Sequence, residues 1–211
     1  TTVEEGVTKT IKVHQEIPYE AILLGSGDRS NPLGKDTKDS VFMIKDKYIK
    51  TQTFSSSSVP ATPAAIAKND LYSYTDNPFK DMATMDIADL ETLQRDVSAK
   101  SGWYIDLQRT GEKSSASPLV INGVAYFTTY TPPDLVITPG SCKPPAGVGA
   151  LLAVDLTLGI KKHSAIEKVR TDDERYIDIN DQLLAKPTLI ALPEDKTEPL
   201  SRIELEIVID D

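Results

Sequence analysis

Short apolar runs separated by turn-forming residues set the pattern of this chain. After a partly alternating stretch over Lys12 to Ile22, the compact run Ala21-Ile22-Leu23-Leu24 is closed by Gly25-Ser26-Gly27-Asp28. Such a run, bounded by glycines, predicts a buried strand. Val41 to Ile44, followed by the polar turn Lys45-Asp46-Lys47, predicts a second strand, and Asp70 to Thr75 and Trp103 to Leu107 predict two more. The clearest local signal is Pro118 to Ile121, then Asn122-Gly123, then Val124 to Tyr130. Asn-Gly between β-rich runs predicts a hairpin, because both residues tolerate the positive φ that a type I′ turn requires. Further strands are expected over Ala150 to Asp155, turning near Gly159, and over Pro187 to Ala191 and Ile203 to Ile209.

One segment has helical periodicity. Ile87, Leu90, Leu93 and Val97 recur at the spacing of one helix face, with Asp86 suited to the N-cap and Lys100 and Gly102 to the C-terminal end. A helix over about Asp86 to Ala99 follows. Phe54 to Pro63 and Thr131 to Gly149 are rich in Ser, Pro or Gly and read as loops, with strands continuing on both sides of each. The expected architecture is all-β with one short helix.

Composition adds limits. The chain has 211 residues, 26% of them charged, with a formal net charge of −9. That charge disfavours nucleic acid, which demands clustered Lys and Arg, and it disfavours docking on anionic lipid. No apolar run approaches the roughly 20 residues of a membrane-spanning helix. The first residues, Thr1-Thr2-Val3, have neither the basic nor the apolar region of a signal peptide, which leaves the compartment open. The single cysteine, Cys142, is either a free thiol or the partner of a cysteine outside this stretch.

Catalytic chemistry finds little support. The chain contains no G-x-S-x-G, no P-loop and no H-E-x-x-H, and His14 and His163 lie in unrelated contexts. No enzymatic activity is expected. The acidic patches Asp172-Asp173-Glu174, Asp178 to Asp181 and Asp210-Asp211 lack the D-x-D-x-D-G order of a calcium loop and read as solvated surface. Asp178 and Asn180 alternate along an expected strand edge, so they would share a face. The densest polar constellation is Gly25-Ser26-Gly27-Asp28-Arg29-Ser30-Asn31-Pro32. Its small residues and Arg29 could cradle an anion; the structural reading is a turn in which Asp28 and Asn31 bond backbone amides and Arg29 pairs with Asp28 or a carbonyl. Trp103, the only tryptophan, is expected to anchor a core strand, its ring buried against the hairpin that carries Tyr126.

Six stretches, taken in order, resemble the PilC/PilY family. Leu23 to Leu33 with the strand ending at Lys45-Asp46 is similar to that family's GSGDR-x-x-PL … D stretch, and Asn69 to Thr75 to its next strand. Gly102-Trp-Tyr-Ile-Asp-Leu107, Gly111-Glu112-Lys113 and Ser117-Pro118-Leu-Val resemble its GWY-x-DL … GE(K/R) … P-x-V block. Val124 to Pro132, Cys142 and Leu152 to Leu156 continue the order, so that the match runs from about Ile22 to Gly159. The structural signature carried by the resemblance and the turns is Gly25, Gly27, Asp28, Arg29, Asn31, Trp103, Asn122 and Gly123.

The resemblance implies a secreted protein at the type IV pilus tip or outer bacterial surface, acting in pilus assembly, surface attachment and twitching motility. It implies a fragment of a single β-propeller over residues 1–211, about two to three blades, whose partners are pilins or minor pilins, a host or abiotic surface, and the rest of its own propeller. The family's propeller often holds calcium, but no residue here matches that loop, so no cofactor is expected in this stretch. The adhesive candidates are Leu135, Val136 and Ile137, an apolar patch on the Thr131–Gly149 loop. Leu151 to Gly159 also resembles the strand-turn of quinoprotein propellers, with His163 near the place of a docking Trp, so a quinoprotein-like dehydrogenase fragment and a generic extracellular binding propeller stay as alternatives.

Overall fold

The Asn122-Gly123 turn forms as its chemistry dictates. Asn122 has φ of 49° and Gly123 φ of 76°, the two positive values of a type I′ turn. They join β7 (Leu119–Ile121) to β8 (Val124–Thr131). The computed structural model describes residues 2–4, 7–9, 17–47, 64–114, 116–134, 145–191 and 205–208. Beyond the hairpin, β8 pairs with β9 (Val148–Asp155) over eight residues, and β9 pairs with β10 (Tyr176–Asn180). All pairings in this four-stranded sheet, ordered β10-β9-β8-β7, are antiparallel.

A second four-stranded sheet has the order β3-β4-β6-β5, built from β3 (Glu20–Gly25), β4 (Ser40–Asp46), β6 (Gly102–Asp106) and β5 (Tyr72–Ser73). Its first two pairings are antiparallel and β5 runs parallel to β6. Two further pairs, β1 (Thr2–Glu4) with β2 (Val7–Lys9) and β11 (Thr188–Ala191) with β12 (Leu205–Val208), complete the strands described. The helix α1 (Ile87–Ala99) starts as the sequence predicts, with the Asp86 carboxylate accepting the Ala88 amide at 2.8 Å. Among the described residues the regular structure is thus mostly strand with one short α-helix.

The core lies between the two large sheets. Val41, Met43, Trp103 and Ile105 from one face meet Ala125, Phe127, Ala150, Leu152 and Val154 from the other, because alternate residues of a strand point to one side. The helix seats Val97 in this cluster with Leu90 and Leu93 beside it, while Ile87 at its first turn is exposed.

One sequence expectation is corrected here. Ala21 to Leu24 is not a buried strand: β3 is an edge strand whose residues alternate between exposed and half-buried. A continuous apolar run cannot distinguish an edge from a centre, since both sides of an edge strand can be apolar. Trp103 is buried, at 1% exposure, in the cluster that also holds Ala125 and Phe127 of the β7–β8 hairpin. The indole stacks on Tyr74 with centroids 5.4 Å apart and donates its N–H to the Leu156 carbonyl at 2.8 Å. Tyr126 lies on the opposite face of β8 from Ala125 and Phe127, half-buried.

Candidate functional site

The segments carrying the sequence signature converge at one end of the two sheets. Leaving β3, the chain makes a turn in which Asp28 accepts hydrogen bonds from the Ser30 amide at 2.8 Å and the Ser30 hydroxyl at 2.6 Å. Those bonds, from the hydroxyl first and then the amide, hold the Asp28 carboxyl below its usual range. The Asn31 amide donates to the Asp28 carbonyl and the Gly34 amide to the Asn31 carbonyl. The turn reading holds for Asp28, whereas Arg29 is exposed and makes no pair with it. Ser26 links the turn to β4 through the Asp39 carboxylate at 2.9 Å.

Against this turn lies residues 109–114. Gly27 has φ of 148° and its Cα rests on the Lys113 side chain, so a side chain at 27 would meet both strain and a clash. Gly25 is pressed against Ser114 in the same way, and the Ser114 amide donates to the Ser26 carbonyl at 2.9 Å. Lys113 is buried, and its ammonium donates to the carbonyls of Gly34 and Gly111. Carbonyl dipoles from two loops thus solvate the charge in place of water.

Beside Lys113 runs a network of arginines and carboxylates. Arg170 and Glu112 form an ion pair of 2.7 Å with both side chains fully buried. Glu112 also accepts the Thr129 hydroxyl at 2.8 Å, and Arg170 reaches Asp172 through two nitrogens and lies over the Tyr176 ring at 4.1 Å. Burial alone would lower the Arg170 pKa; the Asp172 hydrogen bonds and the Glu112 charge hold it above its ordinary value. Arg109 grips Asp178 with two bonds of 3.0 Å. Arg175, also fully buried, binds Asp173 and the carbonyls of Tyr74, Thr75 and Gly159, so it ties the two sheets together. Tyr74 adds a hydroxyl bond to the Thr157 carbonyl at 2.7 Å. Burial pushes the hydroxyls of Tyr74 and Tyr176 well above the usual tyrosine range, so both stay neutral.

The acidic patch at 172–178 is therefore corrected: Asp172, Asp173 and Asp178 are arginine partners rather than freely solvated carboxylates. Asp178 and Asn180 do lie on one strand, but the register shifts between them, and the Asn180 side chain caps the Gln182 amide instead. Among the described residues, no group of three His, Cys, Asp or Glu is arranged to hold a metal ion. His163 donates from Nε2 to the Glu174 carbonyl at 2.9 Å, and burial lowers its pKa.

A cleft of about 260 Å³ opens beside the network, lined by residues 35–38 and 107–111. Lys35 on its wall pairs with Asp134 at 2.5 Å, at the point where the Thr131–Gly149 loop leaves β8. Leu135, Val136, Ile137 and Cys142 in that loop, and His14, lie outside the described residues. Where the chain returns, Gly147 packs against the Tyr130 ring. Sequence reasoning missed Arg109, Arg170 and Arg175. The available signal was charged residues of both signs within β-rich sequence, here 109, 112, 170, 172, 173, 175 and 178, and it says nothing of which pairs form.

The network predicts a specific acid response. Arg170 holds the Asp172 carboxyl down to about 2, first through its hydrogen bond. An unfolded aspartate titrates near ~3.9. The folded value is the lower one, so the stabilisation is complete above ~3.9 and is lost as pH falls toward about 2. Urea midpoints measured between those pH values should fall less steeply for Asp172→Asn than for the parent; equal slopes would show that Asp172 contributes nothing.

Comparison of the chain with protein-family models, curated proteins and solved structures finds no match.

Proposed function

We propose that this chain is two neighbouring blades of a PilC/PilY-type β-propeller, a non-catalytic structural and adhesive part of a type IV pilus at the bacterial surface. Each four-stranded sheet is one blade, and the rest of the propeller packs beside them. The observation that carries the reading is the ordered resemblance from Ile22 to Gly159. Support comes from the way its separate stretches touch: Gly27 rests on Lys113, and Trp103 donates to the Leu156 carbonyl. Residues that share only a sequence pattern have no reason to meet, whereas residues that build one junction do. The Thr131–Gly149 loop is then the adhesive element, borne on the rigid pair β8–β9 and moored at Lys35–Asp134.

The test is to replace residues 132–147, between the paired strands β8 and β9, by a tight Gly-containing turn in the piliated bacterium. Unchanged melting of the purified protein with lost surface attachment is expected. Intact attachment by a folded variant overturns the adhesive role of the loop.

A further inference from the structure

Two departures from low-energy structure meet at one side chain in the turn after β5. Asn77 has a φ of 49°, and the residue that follows it is Pro78. Asparagine tolerates left-handed backbone, but the residue before a proline is pushed toward extended backbone, because the ring crowds its N–H and Cβ. The other described non-glycine residues with positive φ, Asn122 and Lys168, are followed by Gly123 and Val169 and escape that crowding. The Asn77 Oδ1 is in addition buried with no hydrogen-bond partner among the described residues. A buried acceptor left without a donor costs free energy, as does the strained backbone.

The surroundings hold this arrangement in place. The Asn77 amide donates to the Tyr74 carbonyl at 3.1 Å, and the Lys80 amide donates to the Asn77 carbonyl at 2.9 Å, so turns lock the residue from both sides. Tyr74 and Phe79 are buried in the core and meet edge-on, and Arg175 grips the carbonyls of Tyr74 and Thr75. Strain persists only where neighbours over-determine it, and it collects at sites that use it. Where an asparagine reacts with its own chain, the usual nucleophile is the next backbone nitrogen. Pro78 has no N–H and blocks that route. The side-chain nitrogen then has the Asn77 carbonyl carbon as its electrophile. The Lys80 amide donates to the oxygen on which negative charge develops in such an attack.

We propose that Asn77 cleaves its own chain at the bond to Pro78. Nδ2 attacks the Asn77 carbonyl carbon, the new C–N bond closes a succinimide ring, and the bond to the Pro78 nitrogen breaks. The proton lost by Nδ2 passes to the Pro78 nitrogen, which leaves as a secondary amine. The products are a chain ending in the succinimide at 77 and a chain beginning at Pro78. Water later opens the ring to asparagine or isoasparagine. The cut falls between β5 and α1, and the pieces stay together. Strand β6 of the second piece is paired with β4 and β5 of the first, and Trp103 stacks on Tyr74 across the break. The product is a two-chain form of the same fold. This inference is independent of the pilus reading.

Denaturing gels and intact mass test it on the whole chain, incubated for weeks in neutral and mildly alkaline buffer below its melting temperature. Two fragments that divide between Asn77 and Pro78 are expected. Their masses should sum first to that of the uncut chain, and to one water more once the ring has opened. A protease would add that water from the start. Before denaturation the fragments should sediment as one particle. Asn77→Gly keeps the positive φ and removes the nucleophile, and should lose both fragments with the fold intact. Pro78→Ala relieves the crowding and supplies an N–H, and should exchange cleavage for loss of ammonia from an unbroken chain. A parent chain that stays whole overturns the proposal. So does cleavage that survives in Asn77→Gly, or that runs as fast in urea as in the folded protein, since the fold would then contribute nothing.

Discussion

Glu112→Ala should destabilise the protein by about 3–5 kcal/mol, the cost of leaving a buried partner charge uncompensated. Glu112 and Arg170 are both removed from water, and the guanidinium cannot shed its proton at any pH a protein experiences. The remaining Asp172 is 43% exposed and already engaged, so it cannot replace the buried carboxylate. Thr129 also loses the acceptor of its hydroxyl. The pair is not thereby a net stabiliser. Replacing both members, Glu112→Leu with Arg170→Met, removes the charge together with its partner, and should cost no more than the single change. Urea unfolding of the three proteins checks this. A double variant whose loss equals the sum of the two singles would show that the two side chains act independently.

Trp103→Ala should cost about 3–5 kcal/mol through lost burial and the cavity left behind. The indole fills the space between the sheets and stacks on Tyr74, which itself meets Phe79 edge-on at 5.9 Å. Its N–H ties that ring to the turn after β9, at the Leu156 carbonyl. Trp103→Phe keeps an aromatic surface against Tyr74 and should cost less, with about 1 kcal/mol of the loss from the carbonyl left without its donor. Hydrogen exchange at residues 155–159 separates the causes: both variants should speed exchange there. A Trp103→Ala protein with unchanged melting would show that the indole is not what joins the sheets.

The hairpin, most of the longer strands and the helix were legible because each rests on a local rule, whereas the short β1 and β2 were not. Asn122-Gly123 forms its turn from the conformational freedom of two adjacent residues, and the helix starts where Asp86 can accept an amide. Asp155 likewise accepts the Thr157 and Leu158 amides at 2.9 Å each and lets the chain turn over at Gly159. Gly25 and Gly27 were legible as a signature, but the reason for them was not. It lies in Ser114 and Lys113, almost ninety positions along the chain. The alternation Tyr-Ile-Asp-Ile-Asn marked the five-residue strand β10, but not that Asp178 turns to Arg109.

By itself the sequence determined the all-β character, the position of the helix, the type of the hairpin turn and the burial of Trp103. Each of these depends on residues within a few positions of one another or on the apolar nature of a single side chain. Only the tertiary structure decided that β3 is an edge, that Trp103 stacks on Tyr74, and that Asp172, Asp173 and Asp178 are paired with arginines. Edge or centre depends on which strands close on either side, and charge pairing depends on which loops the two sheets bring together. Coulomb attraction in a desolvated junction acts on distance in space, and a carboxylate at 112 meets a guanidinium at 170 only after both sheets have formed.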